Sequence, residues 1–197
     1  MCMEKTPWEK VQEFHGHVCP GLAIGFRATT LALEKLGYSR SVDEEMVAIV
    51  ENDACGVDAV QVLAGCTFGK GNLFFRDYGK QVYTFARRAF GKAVRVAVRY
   101  GAFNNPELSS MRVKVHSGEA SGEEKRVFFE LQQRHIQNIL DSGENCFEVG
   151  FVDIEIPPKA KIQKSVQCEK CGEAAMETRT VAVQGKTVCI PCSKGEI

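Results

Sequence analysis

Several things are missing from this sequence, and each absence narrows what the protein can be. No apolar run approaches the ~20 residues that a membrane-spanning helix needs. The first residues, MCMEKTPWEKVQEF, have neither the basic start nor the apolar stretch of a secretory leader. Together these give the expectation of a soluble, cytoplasmic protein with no membrane partner. Net charge is missing as well: 25 Lys and Arg balance 25 Asp and Glu over 197 residues. No global field would therefore steer the chain to nucleic acid or to an anionic surface. Internal repeats and low-complexity tracts are also absent. What remains is 44% hydrophobic and 25% charged, the composition of a globular chain long enough for one ordinary domain and a small appendage.

Cysteine, by contrast, is plentiful. There are nine, an odd number, which argues against a disulfide framework and for metal ligands, reactive thiols or core residues in a reducing compartment. Four of them form Cys168-x2-Cys171, then 17 residues, then Cys189-x2-Cys192. Each Cys-x-x-Cys can fold as a tight knuckle offering two thiolates, and four thiolates close the tetrahedral shell of a structural zinc. Gly172 suits the turn after the first knuckle, and METRTVAVQGKTV reads as a hairpin turning at Gln184-Gly185. Two redox pairs or disulfides are the alternative, but the βαβ setting of a thioredoxin-type pair is absent. So short a segment cannot bury enough core to fold alone, and metal binding would supply much of its folding free energy. Only five residues follow Cys192, which leaves open a treble clef or a zinc ribbon.

The order of helical and strand-like segments predicts two units and a joint. Residues 1–156 form a core domain, 157–165 a linker opened by Pro157-Pro158, and 166–197 the four-cysteine finger. The tail from residue 159 carries seven Lys and Arg against four Asp and Glu, a mild +3. In the core, Pro20–Leu36 reads as a helix stopped by Gly37. Residues 46–51 read as a buried strand and Val57–Ala64 as a short helix. Residues 81–89 and 92–100 form a hairpin about Phe90-Gly91, on which Arg87, Arg88, Arg95 and Arg99 make a solvated face. Ser121-x-x-Glu124 caps a helix running to about Leu140, and Phe147–Ile156 is a last strand. Helices interspersed with hairpin strands indicate an α+β fold, helices packed on a mainly antiparallel sheet.

The densest chemistry in the core is Phe14-His15-Gly16-His17-Val18-Cys19-Pro20-Gly21. Cys19 falls at a helix start, where the partial positive charge favours a thiolate. Cys55, in Asn52-Asp53-Ala54-Cys55, repeats that logic between a strand and a helix. Two such thiols with nearby imidazoles could assemble a second metal site suited to zinc, iron or nickel, with an open position for substrate or water. Free cysteines also serve as small core hydrophobes. Cys66 heads the glycine-rich loop Gly65–Asn72, which fails the nucleotide-loop spacing. Its backbone amides and Lys70 could still cradle an anion, and packing is the competing reading for Cys66. Cys2 and Cys146 read as incidental, His135 as a core or interface residue on an apolar stripe, and His116 as isolated.

These motifs together resemble the FmdE family, a family associated with formylmethanofuran dehydrogenase. The resemblance rests on Phe14-His15-Gly16-His17-x-Cys19-Pro20-Gly21 leading into a small-residue helix. It continues through Asp53-Ala54-Cys55-x-x-Asp58-Ala59-x-Gln61, Gly65-Cys66-Thr67-x-Gly69-Lys70-Gly71-Asn72 and the Tyr83–Arg99 hairpin, and it covers most of residues 8–155. It implies an α+β core, an intertwined homodimer, and an appended zinc finger. It also implies His17, Cys19 and Cys55 as ligands of a core transition metal beside the tail zinc. The associated enzyme is a molybdenum or tungsten enzyme of one-carbon metabolism in methanogens, of which FmdE is not the catalytic component.

Three functions compete. The first is a metal-binding accessory protein with a molybdoenzyme or other protein partner. The second is a regulatory or interaction protein whose finger contacts a protein or nucleic acid. The third is a hydrolase or redox enzyme using Cys19 with His15 or His17, for which the sequence supplies no geometry. Whether there is turnover is left open.

Overall fold

The strongest local signals in the chain sit at helix starts. In the computed structural model, which describes residues 4–197 and so leaves Cys2 outside, α1 (Pro7–His15) opens on a reciprocal cap. Thr6 Oγ1 accepts from the Glu9 N–H at 3.2 Å, and the Glu9 carboxylate accepts from the Thr6 N–H at 2.7 Å. This Thr-x-x-Glu box is a sequence-readable signal, though the expectations above do not include it. Helix α2 (Pro20–Leu36) starts and stops where proline and Gly37 predict. α3 spans Gly56–Ala64, α4 spans Pro106–His116 behind an Asn105 cap, and α5 spans Gly122–Leu140 behind the Ser121/Glu124 box. α4 is an addition to the expected helices. It buries only Leu108, so no apolar stripe marks it.

The core sheet runs β2 (Leu73–Phe75), β1 (Met46–Val50), β3 (Val82–Arg87), β4 (Ala93–Val98), β5 (Phe147–Val152). Only the β1–β2 pair is parallel; the other three ladders are antiparallel. β5 ends at Val152 rather than Ile156 because its partner β4 starts at Ala93, which pairs with Val152, and the ladder has no partner residue beyond it. Every residue of β1 is buried. Met46, Ala48, Val50, Tyr83, Phe85, Val94, Val96 and Phe147 face Ala28, Leu31 and Ala32 of α2 and Val60 and Ala64 of α3 in one apolar cluster. Each large side chain there contributes about 1.5–3 kcal/mol of burial.

The small residues of α2 let α3 come close. A Cβ on Gly25 would lie 2.2 Å from the Gly56 carbonyl oxygen, so the two backbones touch at a glycine pair. That contact holds the N-termini of α2 and α3, and hence Cys19 and Cys55, side by side. α1 then lies over both, with Val11, Leu22 and Ala59 buried together.

The chain divides into two compact units, residues 1–159 and 160–197. In the second unit, β6 (Ser165–Gln167) pairs antiparallel with β7 (Ala174–Met176) across the first knuckle. The Gly172 N–H donates to Cys168 O at 2.9 Å, and Gly172 sits at φ 79°. β8 (Thr180–Val183) and β9 (Lys186–Cys189) form the hairpin, turning at Gln184 (φ 50°) and Gly185 (φ 80°). Two positive φ values make the hairpin turn whose twist matches its strands. α6 (Ile190–Lys194) follows, with Cys189 as its N-cap. Knuckle, hairpin and helix with the second cysteine pair at the helix start is the arrangement of a treble clef, which resolves the alternative left by the sequence. No helix among the described residues is long and apolar enough to cross a membrane.

Candidate metal centres

The tail centre is built from almost nothing but cysteine. The buried apolar residues of this unit are Cys168, Val188, Cys189 and Cys192, with Cys171 half-buried against them. One valine cannot hold a fold, so the cysteines must do so through what they bind. The four Sγ atoms all lie within 4.8 Å of one another. Cys171 Sγ is 3.9 Å from Cys189 Sγ, near the ~3.8 Å edge of a tetrahedron with Zn–S bonds of ~2.3 Å and far from a disulfide's ~2.05 Å. The N–H groups of Cys171 and Cys189 hold the Cys168 thiol down to about 6, whereas burial and the neighbouring thiols push Cys192 up to about 12. Four thiols this close resist ionising together, and a dication removes that conflict. Donor set and spacing fit a closed structural zinc.

The core holds a second convergence. His15 ends α1, Gly16 turns the chain at φ 83°, and His17 and Cys19 follow at once. Cys19 is the N-cap of α2, its sulfur accepting from the Leu22 N–H at 3.4 Å. Cys55 is the N-cap of α3, reached through a turn in which the Asn52 side chain accepts from the Ala54 N–H and donates to Lys80 O. One donor atom from each of His15, His17, Cys19 and Cys55 lies within 4.8 Å of the others. His17, Cys19 and Cys55 are the ligands the family resemblance implies; His15, the other imidazole of the same segment, stands with them in the structure.

His15 is the best-oriented member. Its Nδ1 meets Asp58 Oδ2 at 2.7 Å, and Asp58 Oδ1 accepts from Gln61 Nε2 at 3.1 Å. Its Nε2 is buried without a hydrogen-bond partner. A carboxylate on one imidazole nitrogen, with the other nitrogen left bare, is how metal-binding histidines are oriented. Asp58 sits on α3 one turn from Cys55, a spacing visible in the sequence. Only the tertiary contact between α1 and α3 shows that it faces His15. The helix-start argument for a Cys19 thiolate is outweighed here. Burial raises the Cys19 thiol more than the Leu22 N–H lowers it, and Cys55 raises it further. Ionisation of that thiol waits on a cation.

The glycine-rich loop has its polar groups committed elsewhere. Lys70 Nζ donates to Val42 O and Asp43 O, and Asn72 ties the loop to Met46 O. Cys66 is wholly buried, its thiol pushed up to about 12. Lys70 is thus engaged with neighbouring carbonyls, and Cys66 packs in the buried cluster. Arg87 stacks on Tyr38 and Phe90, each 4.0 Å away; Arg88 donates to the carbonyls of Glu44 and Pro157; and Arg95 lies 3.6 Å from Glu51. Cys146 packs against the core, His116 bonds Arg112 O, and half-buried His135 lines a separate polar cleft.

Beside the core cluster lies a cavity of about 370 Å³. His15 and Cys55 line it, with Val50, Asn52, Asp53, Asp58, Phe68 and Phe75 among the rest of its wall; His17 and Cys19 do not.

Residues 14–148 match the family model described as FmdE, molybdenum formylmethanofuran dehydrogenase operon, and residues 163–195 match that of the prokaryotic dksA/traR C4-type zinc finger. A protein of Archaeoglobus fulgidus described as a probable S-adenosyl-L-methionine-binding protein is 38% identical over 180 residues, covering 86% of this chain and 49% of that one. The chain thus spans about half the length of the curated relative it matches. The crystal structure of a tungsten formylmethanofuran dehydrogenase FmdE-like protein from Syntrophus aciditrophicus is similar with a TM-score of 0.65 and 26% identity, covering 95% of this chain and 90% of the other.

Proposed function

Because the chain belongs to the FmdE family and ends in a C4 zinc finger, we propose that it is a metal-binding accessory protein with two metal centres of different purpose. The tail zinc holds the finger folded. The core metal is held by His15, Cys19 and Cys55, with exposed His17 as a fourth, more labile donor. The observation that carries this reading is the buried, unpartnered Nε2 of His15, fixed by Asp58 at 2.7 Å, beside two thiols at helix starts. A bare polar atom in a buried site costs ~1–3 kcal/mol unless something binds it. Imidazole plus thiolate suits zinc, iron or nickel, and such an ion would supply Lewis acidity at the cavity wall.

Elemental analysis tests this directly. Two metal equivalents per chain are expected, with Cys19→Ser removing one and Cys168→Ser the other. A single equivalent, lost in Cys168→Ser and unchanged in Cys19→Ser, defeats the core assignment.

Homodimerisation belongs to the same reading. Val113 and Phe129 on α4 and α5 are exposed apolar side chains, and light scattering at two concentrations reports whether they are covered by a second copy. A second function is favoured by the dksA/traR match: the finger contacts a protein or nucleic-acid partner in the cytoplasm. Phosphate binding by its +3 would show as affinity falling steeply with salt. Titrating S-adenosyl-L-methionine into this chain tests whether the ligand named for the Archaeoglobus protein belongs to the half they share.

A further inference from the structure

The cavity beside the core cluster has a chemical character of its own. Its lining contains two carboxylates, Asp53 and Asp58, and no lysine or arginine. Asp58 is engaged with His15 and Gln61, whereas Asp53 is exposed at the rim. Two phenylalanines stand in the wall with much of their surface in water, Phe68 at 67% and Phe75 at 41% exposure. Phe68 comes from the glycine-rich loop, Phe75 from the end of β2. Exposed aromatic faces around a concave site are the surfaces that a flat apolar ligand buries. The metal-binding donors meet this space along one edge only, that of His15 and Cys55, while His17 and Cys19 lie outside the lining.

We infer that this cavity is the ligand subsite of the core metal centre and takes a small planar organic molecule without net negative charge. Its donor atom reaches the metal along the His15–Cys55 edge, its ring covers Phe68 and Phe75, and its N–H groups face Asp53. This rests on the core centre proposed above. Anionic ligands are disfavoured because, apart from the ion, every formal charge in the wall is negative. Exposed His17 is the donor that such a ligand would displace. The glycine-rich loop thereby acquires a use other than cradling an anion: it carries an aromatic wall.

Calorimetric titration of the zinc-loaded full chain tests the inference with three probes. 4-Phenylimidazole supplies ring and donor, imidazole the donor alone, and phenylphosphonate the same ring on an anion. The expected order is 4-phenylimidazole at least ten-fold tighter than imidazole, with phenylphosphonate not binding. Phe68→Ala and Phe75→Ala should each cut the ring's advantage to about three-fold or less while metal content stays at two equivalents. Cys19→Ser, lacking the core metal, should lose 4-phenylimidazole binding. Equal affinities for the two imidazoles, or tight phenylphosphonate binding, at full metal content overturns the ligand class and leaves the metal centre standing. Finding one metal equivalent in the unaltered chain overturns both.

Discussion

Replacing Gly25 with alanine should break the core metal centre without touching a ligand. The new Cβ would lie 2.2 Å from the Gly56 carbonyl oxygen and 2.3 Å from Gly56 Cα, where ordinary contact begins near 3.4 Å. The obstructing atoms are backbone, so no rotamer change relieves the clash, and α2 and α3 must part by about 1 Å. Overpacking of this kind costs about 1–3 kcal/mol, toward the upper end when backbone has to move. The helix propensity of alanine returns about 1 kcal/mol at most. A net loss of about 2 kcal/mol lowers Tm by roughly 4–8 °C for a unit of this size. The functional effect is sharper. Cys55 immediately precedes Gly56, and a metal–ligand distance tolerates only about 0.2 Å, so core affinity should fall ten-fold or more while the tail zinc is retained. Thermal unfolding of the full chain, with metal analysis after dialysis against a weak chelator, measures both. Gly122→Ala, at a helical position with nothing within 4 Å of the new Cβ, is the control and should be neutral or slightly stabilising. Should Gly25→Ala keep two metal equivalents and an unchanged Tm, the glycine contact does not set the spacing of the two thiols.

The other expectations follow from single contacts. Asp58→Asn should leave the fold intact and weaken core metal binding by about 10–100-fold, read by competition with a chelator, since it removes the charge that orients His15. Cys168→Ser should abolish amide protection across residues 165–194 in hydrogen exchange while leaving the protection of β1 and β3 unchanged, because the finger's buried apolar residues are three cysteines and Val188. Glu45 accepts from Ser41 Oγ at 2.6 Å and from the Asp43 N–H at 2.9 Å, and these bonds hold its carboxyl down to about 2 from an ordinary 4.5. A depressed folded value stabilises fully above pH 4.5 and is lost as pH falls from there toward 2. Urea titrations should show Glu45→Gln less stable than the parent at pH 6, the difference closing across that window; a difference constant with pH refutes the linkage.

Much of the fold is legible in the sequence because its signals are local. Pro20 and Gly37 bracket α2, and Ser121 with Glu124 caps α5. The alternation in Val94, Val96 and Val98 marks β4, and Gln184-Gly185 sets a hairpin that only positive φ allows. α4 is hidden because a helix that buries one leucine has no periodic stripe. β2 is hidden because three residues are too few for a pattern, and its pairing with β1 is a long-range parallel one. The last strand is shorter than its alternation suggests because the end of a strand depends on the end of its partner. The loop at Gly65–Asn72 suggests an anion site through its amides and Lys70. Val42 and Asp43 accept from Lys70 and Met46 accepts from the Asn72 side chain, and none of the three is near the loop in sequence.

The sequence alone determined the finger. Two Cys-x-x-Cys pairs, a glycine after the first and a turn dipeptide between them bring all four sulfurs together through short-range geometry, and coordination chemistry does the rest. The α+β class came the same way, from periodicity and caps. Only the tertiary structure brings the core donor cluster together. His15 and Cys55 lie far apart in the chain, and what joins them is the glycine contact between α2 and α3 with α1 laid across it. Whether an imidazole nitrogen is bare, and whether a carboxylate stands behind it, depends on which helix faces cross, and no spacing along a single segment encodes that.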